Sequence, residues 1–147
     1  MEKAISDIDA HRPLHVHGSP PCTPWTIMQN INQRTEEQCA RLAKQRRWGR
    51  KVILNVLKVL RHALAKGCQV SFEHPVAASS WRMIPELFDF WTQLYERVTY
   101  GCAWGFRDSE TGALLKKGWR IVFSDQDCAR RLLRKCSGDH EHKVIEG

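Results

Sequence analysis

Hydrophobic and polar positions alternate along the chain in blocks that predict strands and helices in turn. An alternating stretch predicts a first strand over residues 14–17. Apolar residues at helical spacing then predict a long helix, which begins after an N-cap at Thr35 and ends near residue 66. Gly67 stands where a helix C-terminus is expected, and a short apolar strand follows over residues 68–72.

The second half of the chain continues this alternation. A helix with a broad apolar face is predicted from about residue 80 to 95, with a kink at Pro85 unless that proline lies in the first turn. Two strands over residues 98–104 and 119–123 follow, and then a short basic helix over residues 128–135. The order strand, helix, strand, helix, strand predicts an α/β fold with a parallel sheet covered by helices.

A cysteine enclosed by prolines stands between the first strand and the long helix, in the segment Gly18-Ser-Pro-Pro-Cys-Thr-Pro-Trp-Thr26. Pro20 and Pro21 make the chain just ahead of Cys22 stiff and extended, and Pro24 stiffens the exit. A thiol fixed at a strand-to-loop junction suits a nucleophile. The alternative is an incidental thiol in a loop, because one cysteine in a turn is a weak signal.

A carboxylate is predicted beside this thiol. Functional sites in parallel sheets collect at the carboxyl ends of the strands, and Cys22 and Glu73 each follow one of the first two predicted strands. An acid that emerges from an apolar strand is partly desolvated, which favours the protonated form that a proton donor needs. The alternative role for Glu73 is to cap a helix that begins after Pro75.

Composition and charge indicate the kind of binding partner and the cellular environment. The 147 residues suit one domain, and the net charge of +7 favours a polyanionic partner, nucleic acid before membrane. The six cysteines show no paired spacing, as expected for reduced thiols of an intracellular protein. No secretory signal is recognisable at the N-terminus, and no apolar stretch reaches the length of a membrane span.

Several of these segments resemble, in the same order, the motifs of DNA cytosine-5 methyltransferases. The segment from Gly18 to Thr26 resembles the family's Pro-Cys motif. Phe72-Glu-His-Pro75 resembles its Glu-Asn-Val motif, with His74 in place of Asn and Pro75 in place of Val.

Weaker similarities extend this resemblance over roughly residues 6–124. Asp7, within Ser6-Asp-Ile8, is similar to the acidic residue that follows the family's third strand. Residues 100–106 and 116–123 resemble the strand pair that carries the Gln-x-Arg-x-Arg motif. Arg120 matches its last arginine, whereas Lys116 replaces the Gln and Gly118 the first Arg.

The resemblance implies a truncated Rossmann-like methyltransferase sheet with covering helices, and S-adenosylmethionine as cofactor. Cys22 would add to C6 of a cytosine, Glu73 would protonate N3, and Arg120 would orient the base through its O2 edge. Asp7 would contact the adenine of the cofactor. The target base would be flipped out of DNA or met in a single strand.

The chain departs from the family in two places. No Gly-rich strand-to-helix turn precedes residue 14, and no target-recognition region follows Phe123. We therefore expect residues 1–147 to form a single, partial catalytic domain that lacks an N-terminal cofactor segment, binds S-adenosylmethionine weakly or not at all, and is inactive alone. The alternative is a non-enzymatic, basic nucleic-acid-binding module, derived from a methyltransferase fold in a mobile element or virus.

Basic residues cluster in the first half of the predicted long helix and are candidates for phosphate contacts, although such runs are commonly a solvated face. They are Arg34, Arg41, Lys44, Arg46, Arg47, Arg50 and Lys51.

The C-terminal sequence Cys136-x-x-x-His140-x-His142 combines soft and imidazole ligands, and Cys128 or Cys102 could supply a fourth. Histidine-rich tails are more often solvated, so no residue is assigned to a metal. His15 and His17 fall on one face of the first strand, where structural or surface roles are expected.

Overall fold

A four-stranded mixed sheet lies at the centre of the computed structural model, which describes residues 1–31, 35–132 and 134–143. The strands in chain order are β1 His15–Gly18, β2 Gln69–Pro75, β3 Tyr95–Tyr100, β4 Leu114–Leu115, β5 Gly118–Phe123 and β6 His142–Lys143. The helices are α1 Glu2–His11, α2 Met28–Ile31, α3 Glu36–Ala65, α4 Ser80–Met83, α5 Pro85–Trp91 and α6 Gln126–Arg131.

The order of the central sheet is β1-β2-β5-β3. β1 and β2 pair in parallel, while β5 is antiparallel to both β2 and β3, so β1, β2 and β3 run in one direction and β5 runs against them. The predicted mixture of helices and strands is therefore confirmed, but the expected parallel sheet is mixed. The reason lies in the connection between β3 and β5, residues 101–117, which contains no crossover helix. Without such a helix the chain returns in the opposite direction, and the two strands pair antiparallel.

The long helix α3 agrees closely with its prediction. Its first turn is closed by a capping box, in which Gln38 N donates to Thr35 Oγ1 and Thr35 N donates to Gln38 Oε1, both at 3.2 Å. Gly67 ends the segment with a φ of 82°, a conformation that glycine adopts without steric cost.

The apolar core lies between α3 and one face of the sheet. Ile53, Leu57 and Leu60 of α3 are buried with Val70 and Phe72 of β2. Burial of each such side chain contributes roughly 1.5–3 kcal/mol. The core therefore fixes α3 against the strands whose carboxyl ends carry the candidate site.

The predicted helix over residues 80–95 is broken into α4 and α5. Ile84 is extended (φ −118°, ψ 96°) because the residue before a proline avoids the helical region, and Pro85 then opens α5. The following strand begins earlier than predicted, at Tyr95, and ends in a 3-10 turn over Gly101–Trp104. The predicted basic helix is shorter and begins earlier, since Asp125 caps it by accepting a hydrogen bond from Cys128 N at 2.8 Å.

The N-terminal residues form the helix α1, which corrects the placement of Asp7. Asp7 does not follow a strand; it is exposed on α1 and pairs with Lys3 at 3.0 Å. The helix is fixed to the fold by the buried side chain of Ile8 and by Asp9, whose carboxylate lies 2.9 Å from His62 Nε2 of α3. None of the helices in the described part of the chain has the length and apolar character needed to cross a membrane.

Candidate functional site at the carboxyl edge of the sheet

The segment that carries Cys22 leaves the end of β1 and closes into a 3-10 turn over Thr23–Trp25. Cys22 caps this turn, and its carbonyl accepts a hydrogen bond from Trp25 N at 2.8 Å. The side chain of Cys22 is half-buried. We call residues 19–26 the thiol loop.

The thiol loop is held by its neighbours on two sides. Ser79 donates to the carbonyl of Trp25 from its backbone N at 2.8 Å and from its hydroxyl at 3.2 Å. Arg46 Nε donates to the carbonyl of Pro24 at 3.1 Å. The indole of Trp25 is buried against Gly49, where a Cβ would lie 3.0 Å from Trp25 Nε1. A glycine in the middle of α3 therefore makes room for the loop, and these contacts hold the backbone that follows Cys22.

Glu73 lies beside the start of this loop. Gly18 is level with Phe72 in the parallel pairing of β1 and β2, so Ser19 comes next to Glu73. Ser19 Oγ donates a hydrogen bond to Glu73 Oε2 at 2.5 Å. Glu73 lies within β2 rather than after it, and its described partner is Ser19 rather than a helix end. The structure thus brings the thiol loop and Glu73 to the same edge of neighbouring strands.

Two histidines and a serine share the sheet face of Glu73. Ser71 Oγ lies 2.7 Å from His15 Nε2 and 2.8 Å from His17 Nδ1, so one hydroxyl links both rings. Burial lowers the pKa of His17, while the charge of Glu73 opposes this shift and the charge of His15 adds to it. Sequence reasoning did not single out Ser71, although a polar residue inside an apolar strand was the available signal.

His74 lies on the other face of the sheet, below α4. Its ring is buried, and Nδ1 lies 2.7 Å from Ser80 Oγ. Burial lowers the pKa of His74 to about 4, and the backbone carbonyl of Pro21 opposes the shift. The ring is therefore neutral near pH 7 and links β2 to α4 through Ser80.

Arg120 does not lie where the motif comparison expected it. Neighbouring residues of a strand point to opposite faces, and Arg120 is opposite His74 in the pairing of β2 with β5, whereas Glu73 is opposite Ile121. Arg120 thus points to the face away from Glu73. Its Nε lies 3.1 Å from Glu96 Oε1, and its guanidinium carbon lies 5.1 Å from the ring centroids of both Trp81 and Trp91. These contacts assign Arg120 to packing against α4 and α5.

The basic residues of α3 divide into two groups. Arg46 supports the thiol loop and Arg50 forms an ion pair with Glu86, so both already have protein partners. The remaining candidates on α3 are exposed, and Arg34 lies outside the described residues. The exposed ones are Arg41, Lys44, Arg47 and Lys51.

A second cluster lies beyond the end of β3. Cys136 Sγ lies 3.6 Å from His140 Nε2 and 3.3 Å from His142 Nε2, and Cys102 completes the group. The four ligand atoms lie within 4.8 Å of one another. Of the two cysteines that the sequence offered as a fourth ligand, the structure brings Cys102, and not Cys128, into the group.

Comparison of the chain with protein-family models, with curated proteins and with solved structures finds no match.

Proposed function

We propose that this chain carries the catalytic half of a cytosine-5 methyltransferase-type enzyme, in which Cys22 is the nucleophile and Glu73 is the proton donor. The observation that carries the proposal is the meeting of the thiol loop and Glu73 at the carboxyl edge of adjacent parallel strands. A mixed sheet with one reversed strand is also compatible with the truncated Rossmann-like sheet that the motif resemblance implies.

The proposed chemistry begins with addition of the thiol to the pyrimidine ring. Cys22 first loses its thiol proton to solvent. The thiolate Sγ then forms a bond to C6, and the electrons of the C5–C6 double bond move through C4 to N3. The carboxyl of Glu73 delivers a proton to N3, so the ring gains a thiolate and a proton and carries no net charge from the addition. C5 then has the electron density of an enamine, which is the state that can accept a methyl group.

The loop contacts explain how the protein prepares this addition. A thiol must approach C6 along a narrow range of directions, and a loop held in place loses little entropy when the base arrives. Arg46 and Ser79 hold the carbonyls of Pro24 and Trp25, while Ser19 orients the carboxylate of Glu73. These three side chains therefore act as positioning residues in the proposal.

One contact that the resemblance assigns to S-adenosylmethionine lacks support in the fold. Asp7, which the resemblance assigns to the adenine, is paired with Lys3 on α1. The proposed chemistry of this chain therefore ends at the adduct, and the methyl group would come from S-adenosylmethionine bound to a further segment. β1 lies at the edge of the sheet, beside an apolar cavity of about 340 Å³ lined by Val16, Val52 and Val56, and the proposal places that segment against this edge.

A second candidate function is supported by a separate observation. The exposed cations of α3 surround Trp48, whose side chain is 57% exposed, and cations interleaved with an exposed aromatic suit a nucleic-acid backbone and its bases. A groove of about 470 Å³, lined in part by Arg46, Arg47 and Trp25, connects this surface to the thiol loop. A non-enzymatic basic module would use these features without Cys22.

Covalent trapping separates the two candidates without the cofactor. The probe is a short DNA duplex in which 2-pyrimidinone replaces one cytosine, because this base accepts a thiol at C6 and holds the adduct. We expect a denaturation-resistant protein–DNA species with the mass of a simple addition and with the modification on Cys22.

Matched variants distinguish the enzymatic proposal from the binding module. Cys22→Ser should abolish the adduct, Glu73→Gln should slow its formation by about 10²–10⁴-fold as expected for loss of acid catalysis, and Cys39→Ser, which changes an exposed cysteine of α3, should leave it intact. DNA binding without an adduct, or an adduct on another cysteine, would reject the enzymatic proposal in favour of the binding module.

A further inference from the structure

Four metal-ligating side chains meet at one point, away from the thiol loop. Cys102 lies in the 3-10 turn after β3, and the other three members come from the chain that follows α6. Cys102 is only 6% exposed, and the other three side chains are half-buried. We call this group the cysteine–histidine tetrad: Cys102, Cys136, His140 and His142.

We propose that the cysteine–histidine tetrad binds one structural Zn²⁺ ion. Two thiolates and two imidazoles form a donor set that zinc prefers in tetrahedral sites. With zinc–sulfur bonds of about 2.3 Å and zinc–nitrogen bonds of about 2.0–2.1 Å, neighbouring ligand atoms of a tetrahedron are about 3.3–3.8 Å apart. The distances of 3.3 and 3.6 Å from Cys136 Sγ to the two imidazoles fall in that range.

The imidazole of His140 is oriented by a partner outside the tetrad. Its Nδ1 lies 2.9 Å from Asp139 Oδ1, while its Nε2 faces Cys136. Donation of an Nδ1 proton to the carboxylate leaves the lone pair of Nε2 free for a metal. A carboxylate bound to the distal nitrogen of a histidine is the usual outer contact of a zinc ligand, because it fixes the tautomer and the ring orientation.

The segments joined by the tetrad have little apolar support of their own. We call residues 101–117 and 134–143 the β4–β6 lobe. Among the described residues, the main buried apolar cluster includes no member of this lobe. Polar and ring contacts connect the lobe to β3: Thr99 Oγ1 donates to the carbonyl of Arg134 at 3.2 Å, and Trp104 Nε1 donates to Thr99 Oγ1 at 2.6 Å.

A metal would supply the cohesion that apolar burial does not. Small units with a weak core commonly depend on a metal or on disulfides for stability. Metal binding would join Cys102 to residues 136–142 and so hold β6 against β4, where Leu114 pairs with His142. Four protein ligands fill a tetrahedral shell and leave no position for a substrate, so the role is structural.

Binding of Zn²⁺ to the tetrad balances in charge and protons without a further reactant. Each of the two thiols loses a proton on binding, and the two thiolates neutralise the ion, so one Zn²⁺ is taken up and two protons are released to solvent. The inference goes beyond the proposed methyltransferase-type chemistry, because Cys22 and Glu73 have no part in it. The two proposals can therefore fail separately.

Metal uptake by the reduced full chain tests the inference directly. The metal-free protein is titrated with Co²⁺, and we expect one equivalent to give the visible absorption of tetrahedral cobalt and a near-ultraviolet thiolate charge-transfer band. Zn²⁺ should then displace Co²⁺ and erase the visible spectrum. Elemental analysis after dialysis should give one zinc per chain.

Matched variants locate the site. Cys136→Ser and His142→Ala should each remove the cobalt spectrum or weaken it strongly. Cys39→Ser and Cys22→Ser should leave it unchanged, and Cys22→Ser also separates this site from the proposed catalytic one.

Stability provides a readout that does not need the variants to fold. A chelator should lower the melting temperature of the wild-type chain, and added Zn²⁺ should restore it. Absence of a tetrahedral cobalt spectrum in the reduced wild-type chain, or a spectrum that survives Cys136→Ser, would overturn the inference. A disulfide between Cys102 and Cys136 that persists under reducing conditions would overturn it as well.

Discussion

Ser19 and Glu73 join the thiol loop to the neighbouring strand through a 2.5 Å hydrogen bond across the carboxyl ends of β1 and β2. The bond follows from the register, since Gly18 is level with Phe72 and the next residues of the two strands meet. A proline-stiffened loop therefore begins beside a carboxylate whose orientation it helps to set. The same sheet face carries His17, which reports on the charge of that carboxylate.

The first prediction concerns the coupling between His17 and Glu73. The negative charge of Glu73 raises the pKa of His17, although burial lowers it overall. Replacing Glu73 by Gln removes the charge, so the pKa of His17 should fall further. A titration of the histidine ring signals by NMR measures this change, and Glu96→Gln, which alters an acid on the other face, should leave His17 unchanged. A rise of the His17 pKa in Glu73→Gln would contradict the predicted contact.

The second prediction concerns stability at acidic pH. Burial lowers the pKa of His74 to about 4, so between about pH 6.5 and pH 4 the unfolded chain binds a proton that the folded chain does not. The contribution of His74 is therefore lost as the pH falls through this window. The loss amounts to roughly 3 kcal/mol for a shift of this size.

Urea denaturation at a series of pH values tests that effect. The variant His74→Gln keeps a polar group for Ser80 but cannot take up a proton in this range. We expect the free energy of unfolding of the wild-type chain to fall more steeply than that of the variant from pH 6.5 towards pH 4.5. Parallel curves for the two proteins would show that the pKa of His74 is the same in the folded and unfolded chain, which would contradict the prediction.

The third prediction concerns the contact between β1 and α3. A Cβ on Gly18 would lie 2.5 Å from Val56 Cγ1 and 3.2 Å from Leu60 Cδ1, which is too close for an undisturbed core. Gly18→Ala should therefore destabilise the fold by about 1–3 kcal/mol, the usual cost of overpacking. Val56→Ala removes the obstructing methyl group, so the double variant should lose less stability than the sum of the two single variants. Additive losses in urea denaturation would mean that β1 and α3 are farther apart than the structure places them.

Local sequence signals predicted those parts of the fold that depend on neighbouring residues. Thr35 and Gly67 bound α3 as expected, because a capping box and a left-handed glycine act within a few residues of the chain. The direction of β5 was not predictable in the same way, because it depends on the path of the segment that connects β3 to β5. The placement of Asp7 after a strand was wrong. A three-residue similarity around one acidic residue does not distinguish a helix from the end of a strand.

The candidate sites show the same division. The prolines around Cys22 signalled a rigid thiol, but its supports, Arg46 and Ser79, come from distant parts of the chain. The sheet face to which Arg120 points follows from its pairing with His74 across β2 and β5. A sequence motif contains no information about this register. Cys102 joins residues more than thirty positions away, so the sequence could offer it only as one of two candidates for a fourth ligand.

The last prediction concerns nucleic acid, which both candidate functions require. Arg41, Lys44, Arg47 and Lys51 are exposed on α3, whereas Arg46 is occupied by the carbonyl of Pro24. If the exposed cations neutralise about four phosphates, affinity for DNA should fall by about two orders of magnitude for a fourfold rise in salt, because each contact releases counterions.

Variants that reverse charge on α3 should reduce this salt dependence. Lys44→Glu combined with Lys51→Glu removes two of the predicted phosphate contacts, so the slope of log affinity against log salt should become shallower by about two. Lys3→Glu combined with Arg130→Glu gives the same change in net charge on other helices and should alter the slope much less. Cys22→Ser should leave it unchanged, because the thiol serves addition rather than docking. A salt titration with short duplex and single-stranded oligonucleotides measures each slope, and binding that is absent at low salt or insensitive to salt would identify the basic face of α3 as solvated surface.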